Sequence, residues 1–251
     1  MTQQFTLTAV SNIPQIQPGD DLGLLLKNVL RKAEMTLQAG DVLVIAQKII
    51  SKAEGRFVKL ADVVVGQRAM EVAVQTDKDP RLVELILRES TAISRMKSGV
   101  LIVRHRLGFT SANAGIDRSN VGPVTADETV LLLPLDPDAS AEKLRVALGG
   151  DVGVVISDSH GRPFRLGTVG VAIGVAGIPA LWDRRGEPDL YGYELQHTDV
   201  GVADELAAAA GLLMGQGAEG LPVVLVRGLE LPDMNGRASD LVRPLELDMY
   251  K

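Results

Sequence analysis

A chain of 251 residues, 46% hydrophobic but only 3% aromatic and 23% charged, has the make-up of a folded soluble protein of one or two compact domains. Its formal net charge of -6, with no basic block, argues against a nucleic-acid partner, and an anionic ligand would need a local cluster of Lys, Arg or metal. The absence of cysteine excludes disulfides and thiolate metal sites.

Met1 to Val10 alternates polar and apolar residues, which suits a strand over Phe5 to Val10 and not a signal peptide. No run approaches the roughly 20 apolar residues of a membrane span, so a cytoplasmic location is expected. A loop over Ser11 to Asp20 leads to a helix capped by Asp20 or Asp21, with Leu22, Leu25, Leu26, Val29, Leu30 and Ala33 at helical spacing. Gly40-Asp41 is a turn and Val42 to Ala46 a buried strand. Gln67 to Gln75 and Pro80 to Glu89 read as helices, Val100 to Val103 and Thr129 to Leu133 as strands. Asp138 or Ser140 is expected to cap a helix ending at Leu148. Val152 to Ser157 is a short apolar strand, followed by a Gly-rich stretch, Gly167 to Gly177. The last elements are a helix over Val200 to Met214, with Ala203, Leu206, Ala207, Ala210, Leu213 and Met214 on one face, and a strand over Pro222 to Val226. Strands and helices mix without βαβ repetition, so the expected class is α+β. Residues 1–251 read as one module, with two lobes whose boundary composition does not mark.

Four polar segments are candidates for chemistry. Gln47 to Gly55 carries Lys48 and Lys52, four apart after a buried strand. They suit phosphate oxygens as point charges, or are two solvated surface lysines. In Asn113 to Asn120, Asp117 can ligate a metal and Asn120 can contact a nucleotide; turn-forming residues give the same pattern. Asp158-Ser159 ends the strand Val152 to Ser157. Carboxylate and hydroxyl oxygens on a strand tip suit hard Mg²⁺ or Mn²⁺, or an Asx or Ser turn. Just beyond, Arg162 and Arg165 are within reach of an anion near that tip. Gly215-Gln216-Gly217-Ala218-Glu219-Gly220 matches the dinucleotide glycine pattern but follows a helix and precedes a strand. It is therefore a helix cap and turn, or a loop whose N–H groups approach a phosphate. No P-loop and no nucleophile elbow is present. His105, His160 and His197 lack metal-ligand spacing. His105 and His197 read as structural or surface residues, and only His160 gains interest from its neighbours.

The order of these segments is more specific than any one of them. Gly40-Asp41-Val42-Leu43-Val44 with Ile50-Ser51-Lys52-Ala53-Glu54-Gly55-Arg56, Asn113 to Val121, and Leu135-Asp136-Pro137-Asp138-Ala139-Ser140 resemble the coenzyme F-420:L-glutamate ligase family. So do Ile156-Ser157-Asp158-Ser159 with Gly161-Arg162, Asp189 to Leu195, Val202 to Glu205, and Leu213 to Gly217. The resemblance runs from about Ile13 to Gly228 and fits the free-standing form.

It implies an unusual two-domain α+β fold, a homodimer, GTP as co-substrate, Mg²⁺ or Mn²⁺, and a monovalent cation such as K⁺. The implied metal ligands are Asp117, Asp158, Ser159 and Gln216. Implied nucleotide contacts are Ile13, Pro14, Gln15 and Ile16, then Lys52 and Asn120, then Met214, Gly215, Gln216, Gly217, Ala218, Glu219, Gly220 and Leu221. Lys48 joins them as a charge where the family often has small hydroxyl residues at the positions of Gln47 and Lys48. Asp158 and Lys52 are the expected catalytic pair, with Arg162 and Arg165 toward a substrate anion. The implied reaction makes an acyl phosphate on the lactyl-phosphate carboxylate of the coenzyme F-420 precursor. The amine of L-glutamate then displaces phosphate, and later glutamates join through γ-linked amides. Such chemistry needs charge neutralisation and no covalent nucleophile. A metal-dependent phosphohydrolase and a non-catalytic GTP-binding module are the rival classes.

Overall fold

The computed structural model describes residues 3–122 and 128–247. In chain order its first half contains β1 (Thr6–Ala9), α1 (Leu22–Lys32), β2 (Val42–Ala46), α2 (Gln47–Ala53), β3 (Phe57–Lys59), α3 (Gln67–Thr76) and α4 (Pro80–Arg88). Then come β4 (Ser90–Lys97), β5 (Val100–His105), β6 (Thr110–Ala112), β7 (Thr129–Leu131) and α5 (Pro137–Leu148). The last third holds β8 (Gly153–Arg162), β9 (Arg165–Ala176), β10 (Trp182–Asp183), β11 (Asp199–Val200), α6 (Val202–Met214) and β12 (Val223–Arg227). The class is α+β, as the mixed pattern predicts.

Five strands make the main sheet in the order β1-β12-β2-β8-β9, and only the β2–β8 pair is parallel. The apolar runs of β2, β8 and β12 follow from cover on both faces. Alternation sends Leu43, Ile45, Val154, Ile156, Val223 and Leu225 to one face, where α1 and α5 pack. Val42, Val44, Val155, Val224 and Val226 face the opposite way and meet the Val202, Ala203, Leu206, Ala207 and Ala210 stripe of α6. A separate core, built from Leu60 through Leu132, joins α3 and α4 to the β4-β5-β6 meander. Glu89 stands beside it. Burial opposes its ionisation, but His105, Arg56 and Arg106 outweigh that and bring its pKa down to about 2. Arg56 and Arg106 then donate to the carbonyls of Leu133 and Pro134, which anchors the segment leading into α5. No helix among the described residues is long and apolar enough to cross a membrane.

The structure corrects several local expectations. The strand predicted to end at Ser157 continues to Arg162, because β9 keeps pairing with it after β2 stops at Ala46↔Ser157. Ile156 pairs with Gly174 but Ser157 with Ala172, a bulge that bends the pair as it leaves the sheet. The Gly-rich stretch is β9 itself. A Cβ at Gly170 would lie 2.3 Å from the Ala207 carbonyl of α6, and one at Gly174 2.5 Å from the Pro137 carbonyl of α5. Glycine here lets two helices touch the strand's backbone.

Asp136, not Asp138 or Ser140, caps α5. It accepts from Ala139 N–H at 3.0 Å with Pro137 in the first turn. Asp138 accepts instead from the N–H groups of Val175 and Ala238, and Ser140 donates to Glu54. For α1 the cap is Asp21. In α6 the first residue is Val202 and Leu213 is exposed, because the stripe leaves the core before the last turn. Thr129–Leu131 is strand, while Leu132 and Leu133 are buried outside it. Residues 47–53, assigned no secondary structure from the sequence, form α2.

Candidate active site

The parallel strands β2 and β8 end their pairing together, and a cleft of about 1540 Å³ opens beyond that end. Four sequence-distant segments border it: Ile13 to Ile16, Lys48 and Lys52 on α2, Asn120, and the loop after α6. Ser157, Asp158 and Ser159 form its floor from β8, and from the loop Met214 through Ala218, Gly220 and Leu221 take part. A position beyond the carboxyl ends of parallel strands is where the chain leaves the sheet and side chains become free to bind. Asp158 is thus mid-strand in hydrogen bonding but is the first residue past the edge that β2 shares.

Turning directly from β2 into α2 sets Gln47, Lys48, Ser51 and Lys52 at helical spacing. Lys48 Nζ lies 2.8 Å from Asp117 Oδ1, and Gln47 Nε2 donates to Asp117 Oδ2 at 2.6 Å. Gln47 is buried, and its own carbonyl accepts from the buried Ser51 hydroxyl at 2.8 Å. Both oxygens of Asp117 are therefore held from one helix, and Lys48 is not an ordinary solvated lysine. Burial pushes the Asp117 carboxyl up from its usual value. Lys48 and Gln47 pull against that, and the charge of Asp158 adds to the rise, so the two carboxylates feel each other. Lys52 is held below the usual lysine value by burial first and by Lys48 second, with Asp117 opposing. Its proton is thereby made easier to lose, and an anion placed beside it would restore the charge.

Opposite stands the glycine-containing loop. Gly215 closes α6 with φ +68, and a Cβ there would lie 2.2 Å from the Glu219 carboxyl carbon. The Glu219 carboxylate folds back into that space and accepts from Gly217 N–H at 2.8 Å. An N–H group of this loop is thus already satisfied by an anion. Asn120 Nδ2 donates to the Gly217 carbonyl at 3.0 Å, tying the loop after β6 to the loop after α6. Gln216 is exposed on the cleft side.

Asp158 pairs with His160 two residues on, Oδ2 to Nε2 at 3.0 Å. Ser159 borders the cleft but alternates to the other face of β8 and is exposed. Arg162 and Arg165 do not border the cleft. They flank the β8–β9 turn, about 13 Å along the strand from Asp158. Arg162 donates to the Leu166 carbonyl there, and Arg165 is exposed. Asp117 is set behind Lys48, and Glu219 is turned into its own loop. His105 is fully buried, with Nδ1 accepting from Leu107 N–H, and His197 is exposed.

The donor set suits a hard divalent cation. No group of three or more His, Cys, Asp or Glu side chains suited to an ion occurs among the described residues. Asp158, Ser159 and Gln216 border the cleft, and Asp117 is close enough to feel the Asp158 charge, so oxygen donors of the kind Mg²⁺ takes are present. That ion takes one or two carboxylates and completes its shell from water and substrate phosphate. The residues that spacing alone does not flag are Gln47, Ser51 and His160. A helical reading of 47–53 would have put Gln47 and Ser51 on one face, and the period-two spacing of Asp158 and His160 would have paired them, had the strand been carried past Ser157.

A sequence profile described as F420-0:Gamma-glutamyl ligase matches residues 11–228. The chain is similar to the coenzyme F420:L-glutamate ligase of Methanothermobacter thermautotrophicus, 46% identical over 98% of this chain and 99% of that protein. The proteins of the same name from Methanocaldococcus jannaschii and Halobacterium salinarum are 45% and 43% identical. They match 87% and 97% of this chain, and 88% and 94% of their own lengths.

Proposed function

The chain belongs to the F420-0:gamma-glutamyl ligase family, and from that premise we propose that it uses GTP to form an amide between L-glutamate and the lactyl-phosphate carboxylate of the coenzyme F-420 precursor. The observation that carries the site assignment is the convergence of Asp158, Lys48, Lys52 and the loop after α6 on one cleft from distant segments, with Asp117 held directly against Lys48.

A carboxylate does not react with an amine until it carries a leaving group. In the proposed reaction the acceptor carboxylate attacks the γ-phosphorus of GTP, GDP leaves, and an acyl phosphate forms. The amine of glutamate then attacks the acyl carbon, inorganic phosphate leaves, and the amine proton goes to solvent. Two anionic groups, the acceptor carboxylate and the γ-phosphate, must meet in the first step, so the barrier is dominated by charge. Lys52, with its lowered pKa, gains most from a phosphate beside it and is assigned to the transferred group. Lys48 lies between Asp117 and the cleft and is assigned to a second phosphate oxygen. The Gly217 N–H is freed for phosphate once the Glu219 carboxylate is displaced, and Asn120 keeps that turn in place. Ile13 to Ile16 give the nucleotide an apolar wall. Mg²⁺ or Mn²⁺, held by Asp117, Asp158, Ser159 and Gln216, would supply the remaining positive charge. Arg162 and Arg165 are kept for an anion outside this cleft.

The cleft exceeds the roughly 300–1,000 Å³ of a site for one small ligand, which suits two substrates meeting in it. Further γ-linked glutamates are part of the same proposal, as is a cytoplasmic homodimer. Sedimentation at micromolar concentration is expected to give twice the chain mass, and a monomer mass refutes that part alone. Phosphate release that requires both precursor and glutamate tests the ligase reading.

A further inference from the structure

His160 belongs to no role assigned above, yet its ring is fixed on two sides. Its Nε2 lies 3.0 Å from Asp158 Oδ2, and each of the two side chains is only 10% exposed. Its plane is tilted 50° against Phe109 with centroids 4.9 Å apart. Phe109 in turn stacks within 4° of parallel on the fully buried His105, at 5.1 Å. Asp158 and His160 stand on one face of β8 because side chains alternate along a strand, and regular pairing from Ser157↔Ala172 to Gly161↔Thr168 keeps them there. The bulge between Ile156 and Ser157 sits just upstream, where it sets the angle at which this face leaves the sheet.

From this geometry we infer that His160 is a positioning residue for Asp158: it holds Oδ2 and leaves Oδ1 as the oxygen that meets a divalent cation. A carboxylate that ligates a metal can only accept a hydrogen bond, so the proton of this contact belongs to Nε2 of the imidazole. Oδ1 has no donor among the described residues. The Phe109 and His105 stack fixes the ring that makes the contact, so rotation of Asp158 about its terminal bond is restricted to one well. A ligand oriented before binding loses less freedom on binding, and partners that act through a ligand typically change metal affinity about 10–100-fold.

The inference rests on the proposed metal role of Asp158, and the test separates the two. Mn²⁺ binding is measured at fixed pH with GDP present, by the electron paramagnetic resonance signal of free Mn²⁺, on wild type, His160→Phe, His160→Gln and Asp158→Asn. Thermal unfolding of the metal-free proteins is recorded alongside. His160→Phe keeps the ring contact with Phe109 but removes the donor. It is expected to weaken Mn²⁺ binding about 10–100-fold at an unchanged melting temperature, with His160→Gln, which retains an N–H donor, recovering most of the loss. If the Phe side chain prevents folding, His160→Leu removes the donor in a smaller volume and is read the same way. Wild-type affinity in a folded donor-less variant, while Asp158→Asn loses Mn²⁺, overturns the positioning role and leaves the metal reading intact. Wild-type affinity in Asp158→Asn, or no Mn²⁺ binding by the wild type, overturns both.

Discussion

Asp158→Asn is expected to abolish amide formation at limiting Mn²⁺, with a loss of at least roughly a hundredfold, above what a group acting through a ligand usually costs. Asn has the same size and its amide oxygen still accepts from His160 Nε2, so the cost in stability is on the order of 1 kcal/mol. What disappears is one negative charge at the first position of β8 beyond the β2 edge. Asp117 has its carboxyl pushed up partly by that same charge, so removing it brings the Asp117 pKa back toward normal without restoring a second charged oxygen donor. Amide formation at limiting and saturating Mn²⁺, with thermal unfolding as the control, checks this. A folded variant with near-normal activity at limiting Mn²⁺ removes Asp158 from the site.

Lys52→Ala and Asp117→Ala should fail in different ways. Losing a charge-assisted contact to phosphate at Lys52 costs roughly 1.5–3 kcal/mol, about ten- to a hundredfold in rate or affinity. Added metal cannot replace that contact, so the deficit persists at saturating Mn²⁺. Asp117→Ala weakens cation capture, and excess Mn²⁺ should recover part of the activity. It also strands Gln47 Nε2 and Lys48 Nζ, so some stability is lost, and Asp117→Asn separates that loss from the metal effect. Titrating Mn²⁺ at fixed GTP and comparing plateaus is the measurement. Rescue of the Lys52 variant with none for Asp117 would reverse the two assignments.

Much of this site was legible in order along the chain and little of it in detail. Apolar runs such as Val42 to Ile45 and Val152 to Ile156 marked the sheet centre, since strands covered on both faces leave no room for polar residues. The Leu-rich spacing of α1 was equally plain. The end of β8 was not, because pairing with β9 depends on residues that sit beyond a turn, and Ser-Asp-Ser-His-Gly carries no strand propensity. α2 was hidden for a different reason: it has seven residues and starts without a capping side chain. With it went the Ser51–Gln47–Asp117 chain, whose members are separated by 70 residues between Gln47 and Asp117. The Glu219 side chain filling its own loop could not be read from a glycine pattern, which shows only that space exists. Arg162 and Arg165 are close to Asp158 in sequence, but an extended strand carries them away from the cleft.

Release of inorganic phosphate from GTP, with Mn²⁺ present and with precursor and glutamate added singly and together, tests the ligase activity most directly. Amide formation coupled to nucleotide cleavage predicts rapid release only with both, one phosphate for each glutamate joined, and a product heavier than the precursor by one or more glutamyl residues. Equal release with neither acceptor nor amine would make the protein a phosphohydrolase. GTP binding with no release under any condition would make it a binding module, and either result contradicts the ligase reading.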